Sequence, residues 1–120
     1  MIKIKLPFPP TVNQYWRHPV IGRSVRHLIG KRGRRYRKDV LAIFGGHTPM
    51  LPAFVHDIAV TITLHPPDRR KRDVDNFAKG LLDACTHAGL WLDDSQIQDL
   101  RIIMGEPEKG GSVILEVEEL

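Results

Sequence analysis

The sequence predicts one α+β domain over residues 1–120, a small mixed sheet of about four strands carrying two main helices in the order β-α-β-α-β-β. Three observations predict it. Residues 2–6 and 54–64 alternate at the strand period of two, whereas residues 34–44 and 75–88 repeat at the helical period. Two short apolar runs, 100–104 and 113–117, follow near the C-terminus. A length of 120 residues fits one domain and leaves little room for a second.

Taken in order, Ile2, Ile4 and Leu6 alternate with Lys3 and Lys5, as on a half-buried strand. Pro7-Phe8-Pro9-Pro10 ends it, because proline donates nothing to a ladder. Residues 11–30 read as a long loop, the kind usually kept for function. Tyr36, Val40 and Phe44 then recur every fourth residue, and Gly45-Gly46 stops that helix. Residues 54–64 read as the longest strand, with Ile58, Val60, Ile62 and Leu64 on one face and Ala59, Thr61 and Thr63 on the other. His65-Pro66-Pro67 ends it. The second helix carries Phe77, Leu81, Ala84, Cys85 and Ala88 along one stripe, with Gly89 as its cap. Glu108-Lys109-Gly110-Gly111 reads as a hairpin turn between the last two strands.

Composition narrows the function classes. Hydrophobic residues make up 42% of the chain, enough for a single core. One cysteine excludes an internal disulfide framework and a zinc cluster, and a reduced, cytoplasmic setting is expected. No apolar run approaches the roughly 18 residues of a membrane span. Met1 to Leu6 lacks the apolar block of a signal peptide. The net charge of +4 hides a split: residues 1–72 hold 15 Lys/Arg against 3 Asp/Glu, and residues 73–120 hold 3 against 11. A basic surface for a polyanion beside an acidic cluster is expected, unless the charges merely solvate separate faces.

The chemistry lies in Arg72-Asp73-Val74-Asp75-Asn76-Phe77-Ala78-Lys79. Asp73 and Asp75 are two apart where a loop meets a helix, and in extended backbone such residues point the same way, toward one ion. Lys79 follows Asp75 by one helical turn. Asp93 and Asp94 return to this motif only if the strands before and after the second helix lie side by side. Mg²⁺ is a hard cation that takes oxygen ligands, and phosphodiester cleavage needs an activated water and relief of negative charge. A neighbouring lysine supplies part of that relief. The competing reading makes Asp73, Asp75 or Asn76 helix caps and nothing more. Asp83, one turn past Lys79, reads more readily as its surface ion-pair partner than as a catalytic support.

Arg69, Arg70, Lys71 and Arg72 adjoin the acids and can hold phosphates there. Residues 17–38 hold nine Lys/Arg, beginning with Arg17, which can track a phosphate backbone or sit in a solvated loop. Tyr15 and Trp16 either stack on an unpaired base or pack under the loop. The six histidines show no metal-ligand spacing, with His18 the one nearest the basic residues. Cys85 reads as core.

Pro7-Phe8-Pro9-Pro10 with Asn13-Gln14-Tyr15-Trp16-Arg17-His18, the run from Pro67 to Asn76, Lys79, Asp83-Ala84, the run from Ala88 to Asp94, and Gln98 together resemble the RusA family of Holliday junction resolvases. The similarity spans almost the whole chain. It implies a homodimeric endonuclease dependent on Mg²⁺, for which Mn²⁺ can substitute, that nicks two opposed strands of a four-way DNA junction. Its essential carboxylates fall on Asp73, Asp75 and Asp94, and its essential lysine on Lys79. DNA contacts are expected at Asn13, Tyr15, Trp16, Arg17 and Arg69 to Arg72. No organic cofactor and no membrane partner are implied, and a bacterial, phage or prophage origin is. Each subunit is expected to supply one Asp73/Asp75/Asp94 set, since two cuts on a two-fold junction suit a two-fold dimer.

Overall fold

The computed structural model describes residues 1–17, 20–21, 24–25, 28–46 and 52–120. Along the chain run β1 (Ile2–Leu6), α1 (Val12–Tyr15), β2 (Trp16–Arg17), β3 (Val20–Ile21), β4 (Ser24–Val25), β5 (Leu28–Ile29), α2 (Lys31–Ile43), β6 (Ile58–His65), α3 (Ala78–Ala88), β7 (Ile97–Met104) and β8 (Ser112–Glu119). Short 3₁₀ turns cover Val74–Phe77 and Asp94–Gln96. The result is the expected small α+β domain with a mixed four-stranded sheet and two main helices.

β6 organises the sheet because its alternation is the cleanest: Ile58, Val60, Ile62 and Leu64 are all buried. Burying each such side chain contributes about 1.5–3 kcal/mol. The strand order is β1-β8-β6-β7. β8 runs antiparallel to both β1 and β6, whereas β7 runs parallel to β6. The buried face of β6 and β8 joins Leu81, Ala84, Cys85 and Ala88 of α3 and Tyr36 and Val40 of α2 in one core. β6, α3 and β7 thus form a βαβ unit, and the strands flanking α3 do lie side by side.

Several boundaries differ from expectation, each for a local reason. Residues 11–30 are not one loop. Thr11 opens α1 with a capping box to Gln14, and β2–β5 and β3–β4 pair in a shared register, Trp16 with Ile29 and Val20 with Val25. α2 starts at Lys31 rather than 34, through Gly33, whose missing side chain admits the Tyr15 carbonyl: a Cβ there would lie 2.2 Å from that oxygen. β6 starts at Ile58, and Phe54 makes only an isolated bridge to Trp91. The segment from Val74 begins as 3₁₀ and becomes α-helical only at Ala78, so Asp75 is not one α-turn below Lys79. β7 and β8 are longer than expected. The turn before β8 exists, with Gly111 N donating to the Glu108 carbonyl at 2.8 Å. It is no hairpin, because β6 lies between β7 and β8.

Candidate active site

Asp73 occupies the N-cap position of the Val74–Phe77 turn, yet its side chain caps nothing. Its carbonyl, not its carboxylate, receives the Asn76 N–H at 3.1 Å. Asp73 and Asp75 are exposed, and among the described residues neither carboxylate takes part in a hydrogen bond or ion pair. A capping hydrogen bond therefore does not account for Asp73, and Asp75 stands in the first turn, where a carboxylate is favoured by the helix dipole. Asp73 and Asn76 line a cleft of about 610 Å³ whose apolar wall carries Phe8 and whose rim carries Arg70 and Lys71. Phe8 packs on Phe77 with ring centroids 5.1 Å apart.

The Asp93-Asp94 pair divides its work. The Asp93 carboxylate accepts from Ser95 N at 3.0 Å in a capping box with Gln96, and those hydrogen bonds hold its pKa below the usual range. Gln96 also ties Leu92 N, Asp93 N and the carbonyls of Phe54 and His56 together. Asp94 escapes that duty. Its Oδ1 accepts from the Thr86 hydroxyl and, at 3.1 Å, from the Trp91 indole. The indole also donates to Thr86 Oγ1 at 2.6 Å. Trp91 is fully buried, so Asp94 is pinned beside the C-terminal half of α3.

That placement separates the carboxylates. Ala78 to Thr86 spans about 12 Å of helix axis at 1.5 Å per residue, and Asp73 and Asp75 precede Ala78. Among the described residues no three His, Cys, Asp or Glu side chains converge as a metal-holding group. Asp73 and Asp75, two open carboxylates facing solvent, suit a Mg²⁺ ion that keeps several waters. Asp94 does not join them within one chain.

Lys79 projects from the first turn of α3 and is exposed, its Nζ 5.7 Å over the Trp16 ring. Asp83 is not its partner. Asp83 accepts from Arg37 Nε and Nη2, both at 2.8 Å, and from the Tyr15 hydroxyl, which Arg37 Nε also approaches at 3.1 Å. Tyr15 is fully buried, so packing beneath the loop, rather than stacking on a base, is the arrangement observed. Burial and the Asp83 carboxylate push its pKa well above the ordinary tyrosine value. Trp16 is half-buried, with its indole N–H enclosed and unpartnered among the described residues.

The basic residues split similarly. Arg72 donates to Asp68 Oδ1 at 2.8 Å and to the Arg70 carbonyl at 3.2 Å, and it covers the Phe8 ring at 5.9 Å. It braces the 68–72 loop, and its hydrogen bond holds the Asp68 carboxyl below the usual range. Arg70 stands 3.7 Å from Asp68 and is largely exposed, and Arg69 and Lys71 are exposed. Asn13 and Arg17 are exposed as well. Within 17–38, Arg34 binds the Ile29 carbonyl at 2.9 Å and Arg37 binds Asp83, while Lys31, Arg32, Arg35 and Lys38 face solvent. Arg23, Arg26, His18, His27 and His47 lie outside the described residues. His65 Nδ1 lies 2.8 Å from the Glu106 carbonyl, and Cys85 is core as expected.

Sequence reasoning missed the anchoring of Asp94 by Thr86 and Trp91 and the Arg37–Asp83–Tyr15 cluster. Both join residues by tertiary packing that carries no spacing signal.

Comparison with known proteins gives the family of the chain. The family model described as Endodeoxyribonuclease RusA matches residues 7–118. A crossover junction endodeoxyribonuclease of Enterobacteria phage HK97 is 39% identical over 116 residues, covering 96% of this chain and 92% of that protein. That of phage 82 is 39% identical over 117 residues, covering 98% and 93%. The enzyme of Shigella sonnei is 40% identical over 118 residues, with the same coverage. Matched across nearly its whole length, the chain belongs to the RusA endodeoxyribonuclease family.

Proposed function

We propose that this chain is a metal-dependent, structure-selective endonuclease that resolves four-way DNA junctions by paired nicks on opposed strands, in recombination and repair. The observation that carries the reading is the pair Asp73 and Asp75, two exposed carboxylates without partners among the described residues, beside a cleft rimmed by Arg70 and Lys71. Two bare anions beside cations suit a cation and a phosphate. The relatives, named as crossover junction endodeoxyribonucleases, supply the substrate class.

The residues divide the work as follows. Asp73 and Asp75 hold Mg²⁺, or Mn²⁺ in its place, which supplies Lewis acidity and a water of lowered pKa. Lys79 meets the charge that builds on the phosphate, and Trp16 beneath it limits where the ammonium can go. Arg69, Arg70 and Lys71 seat the backbone next to the acids. Arg72 holds their loop in shape through Asp68. Asn13, Arg17 and the exposed face of α2 extend the basic surface. A homodimer fits the two-fold symmetry of a junction. Phage and bacterial relatives, and the absence among the described residues of a helix long and apolar enough to cross a membrane, accord with action on DNA in the bacterial cytoplasm.

The test compares cleavage of a synthetic four-way junction, a flap and a linear duplex, each with Mg²⁺ or with EDTA. Symmetric, ligatable nicks on the junction in Mg²⁺ alone are expected. Faster cutting of the flap makes the chain a nuclease for other branched DNA. Junction binding without nicking in either metal makes it a binding protein.

A further inference from the structure

We propose that Arg37 is a positioning residue for strand cleavage: together with Tyr15 it occupies the Asp83 carboxylate, and so keeps the Lys79 ammonium free for the scissile phosphate. The inference rests on reading Lys79 as the group that meets the phosphate charge.

Left to α3 alone, Lys79 and Asp83 are partners. They stand four residues apart on one helix, the spacing at which opposite charges pair. An ammonium held against a carboxylate is neutralised at close range and offers little to an incoming phosphate. The fold denies that pair. Arg37 Nε and Nη2 each stand 2.8 Å from Asp83 Oδ2, and the Tyr15 hydroxyl donates to the same oxygen. Three donors, two of them on one rigid guanidinium, hold the carboxylate better than one ammonium on a flexible stem. Lys79 makes no ion pair among the described residues, and its Nζ rests 5.7 Å over the Trp16 ring.

Stability alone does not call for an ion pair at this place. The buried residues of α2 include Gly33, Tyr36 and Val40. Arg37 follows Gly33 by four positions and precedes Val40 by three, so it projects from the same inner face. The Arg37 and Asp83 side chains are only 25% and 23% exposed. Desolvating two charges at such a position offsets much of their attraction, and apolar side chains of similar volume would pack there as well. What an apolar pair would not do is remove the anion that stands one turn from Lys79.

Tyr15 joins the two ends of this arrangement. Its hydroxyl meets Asp83, its ring lies where a Cβ on Gly80 would sit, and its carbonyl accepts from Gly30 N at 2.9 Å. Trp16, the next residue, is thereby delivered beneath Lys79. The contact that takes Asp83 from Lys79 also brings the ammonium an aromatic face, which attracts a cation without neutralising it.

A charge-removal cycle on the full chain tests this. Arg37→Met, Asp83→Asn and the double variant are compared with the wild type. Single-turnover cleavage and binding of a synthetic four-way junction in Mg²⁺ are read beside the NMR shift of the Lys79 ε-methylene. Arg37→Met releases Asp83 to Lys79, so cleavage is expected to slow at least about tenfold while junction affinity changes less than about threefold. In the same variant the ε-methylene is expected to lose its ring-current shift from Trp16. Asn keeps an acceptor for the Tyr15 hydroxyl but has no charge to offer Lys79. The double variant is therefore expected to regain both the ring-current shift and a rate within about threefold of the wild type. Arg37→Lys keeps the charge and loses the fork, and its rate is expected to fall between wild type and Arg37→Met. A double variant as slow as Arg37→Met overturns the proposal and leaves Arg37 a structural or DNA-contacting residue. An unmoved ε-methylene in both Arg37→Met and Arg37→Lys overturns it too, whatever the rates. If Lys79→Met cuts at the wild-type rate, the reading of Lys79 fails instead, and the ε-methylene shift still reports whether Arg37 governs where the ammonium sits.

Discussion

The Lys79 ammonium lies 5.7 Å over the face of Trp16. Neither residue reaches this geometry by itself. Trp16 follows Tyr15, whose ring packs where a Cβ on Gly80 would sit, 2.6 Å away, and Gly80 follows Lys79 on α3. The Arg37–Asp83 pair fixes the Tyr15 hydroxyl in turn. Removing the ring frees the lysine without removing its charge. Trp16→Leu is expected to slow single-turnover junction cleavage by about three- to tenfold, with Trp16→Phe between it and the wild type. The ring-current shift of the Lys79 ε-methylene in NMR spectra checks the contact itself and is expected to vanish in Trp16→Leu. Equal rates in all three proteins contradict a positioning role.

Thr86 offers a second handle, because its hydroxyl donates to Asp94. Thr86→Val keeps the shape and removes the donor, leaving the Trp91 indole as the remaining hydrogen-bond donor to Asp94 among the described residues. A loss of about 10- to 100-fold in junction cleavage is expected, because Asp94 falls among the carboxylates that the family resemblance makes essential. A small change in thermal stability should accompany it.

Gly33 gives a prediction whose sign is opposite to helix propensity. Alanine in a helix interior is ordinarily better than glycine by about 0.8–1 kcal/mol. Here a Cβ meets the Tyr15 carbonyl oxygen at 2.2 Å and Ile29 Cγ2 at 2.9 Å. Gly33→Ala is therefore expected to destabilise by about 1–3 kcal/mol in urea unfolding. A gain in stability contradicts the close approach of α1 to α2.

Both tyrosines of the chain are buried, Tyr15 against Asp83 and Tyr36 with its hydroxyl donating to the Pro7 carbonyl at 2.8 Å. Burial, the largest cause for each, raises both pKa values above the ordinary value of 10.0. The unfolded chain releases these protons near pH 10, whereas the folded chain keeps them. Stability from this source is complete below pH 10 and falls as pH rises through the raised folded values. Tyrosinate absorbance near 295 nm should thus stay low in the native protein at pH 10–11 and appear together with unfolding. A non-cooperative rise centred on pH 10 contradicts the burial.

Much of this was legible in the sequence. The alternation of Ile58, Val60, Ile62 and Leu64 announced the central strand, and the stripe from Phe77 to Ala88 announced α3, because burial periodicity is a local signal. Sheet order was not legible: Gly110-Gly111 reads as a hairpin turn, and only long-range pairing inserts β6 between β7 and β8. The motif from Asp73 to Lys79 stood out by residue type. That Asp93 caps a turn while Asp94 is pinned by Trp91 was invisible, since two adjacent aspartates look alike until the fold assigns them partners.

The open carboxylates beside the Arg70 and Lys71 rim are expected to carry out phosphodiester cleavage. Asp75→Asn on a synthetic four-way junction with Mg²⁺ tests it most directly, with cleavage and binding measured on the same protein. Cleavage is predicted to fall by about 10³-fold or more while junction binding is kept or tightened, because a repelling charge beside phosphate is gone. Junction cutting at the wild-type rate by this variant contradicts a catalytic role for Asp75.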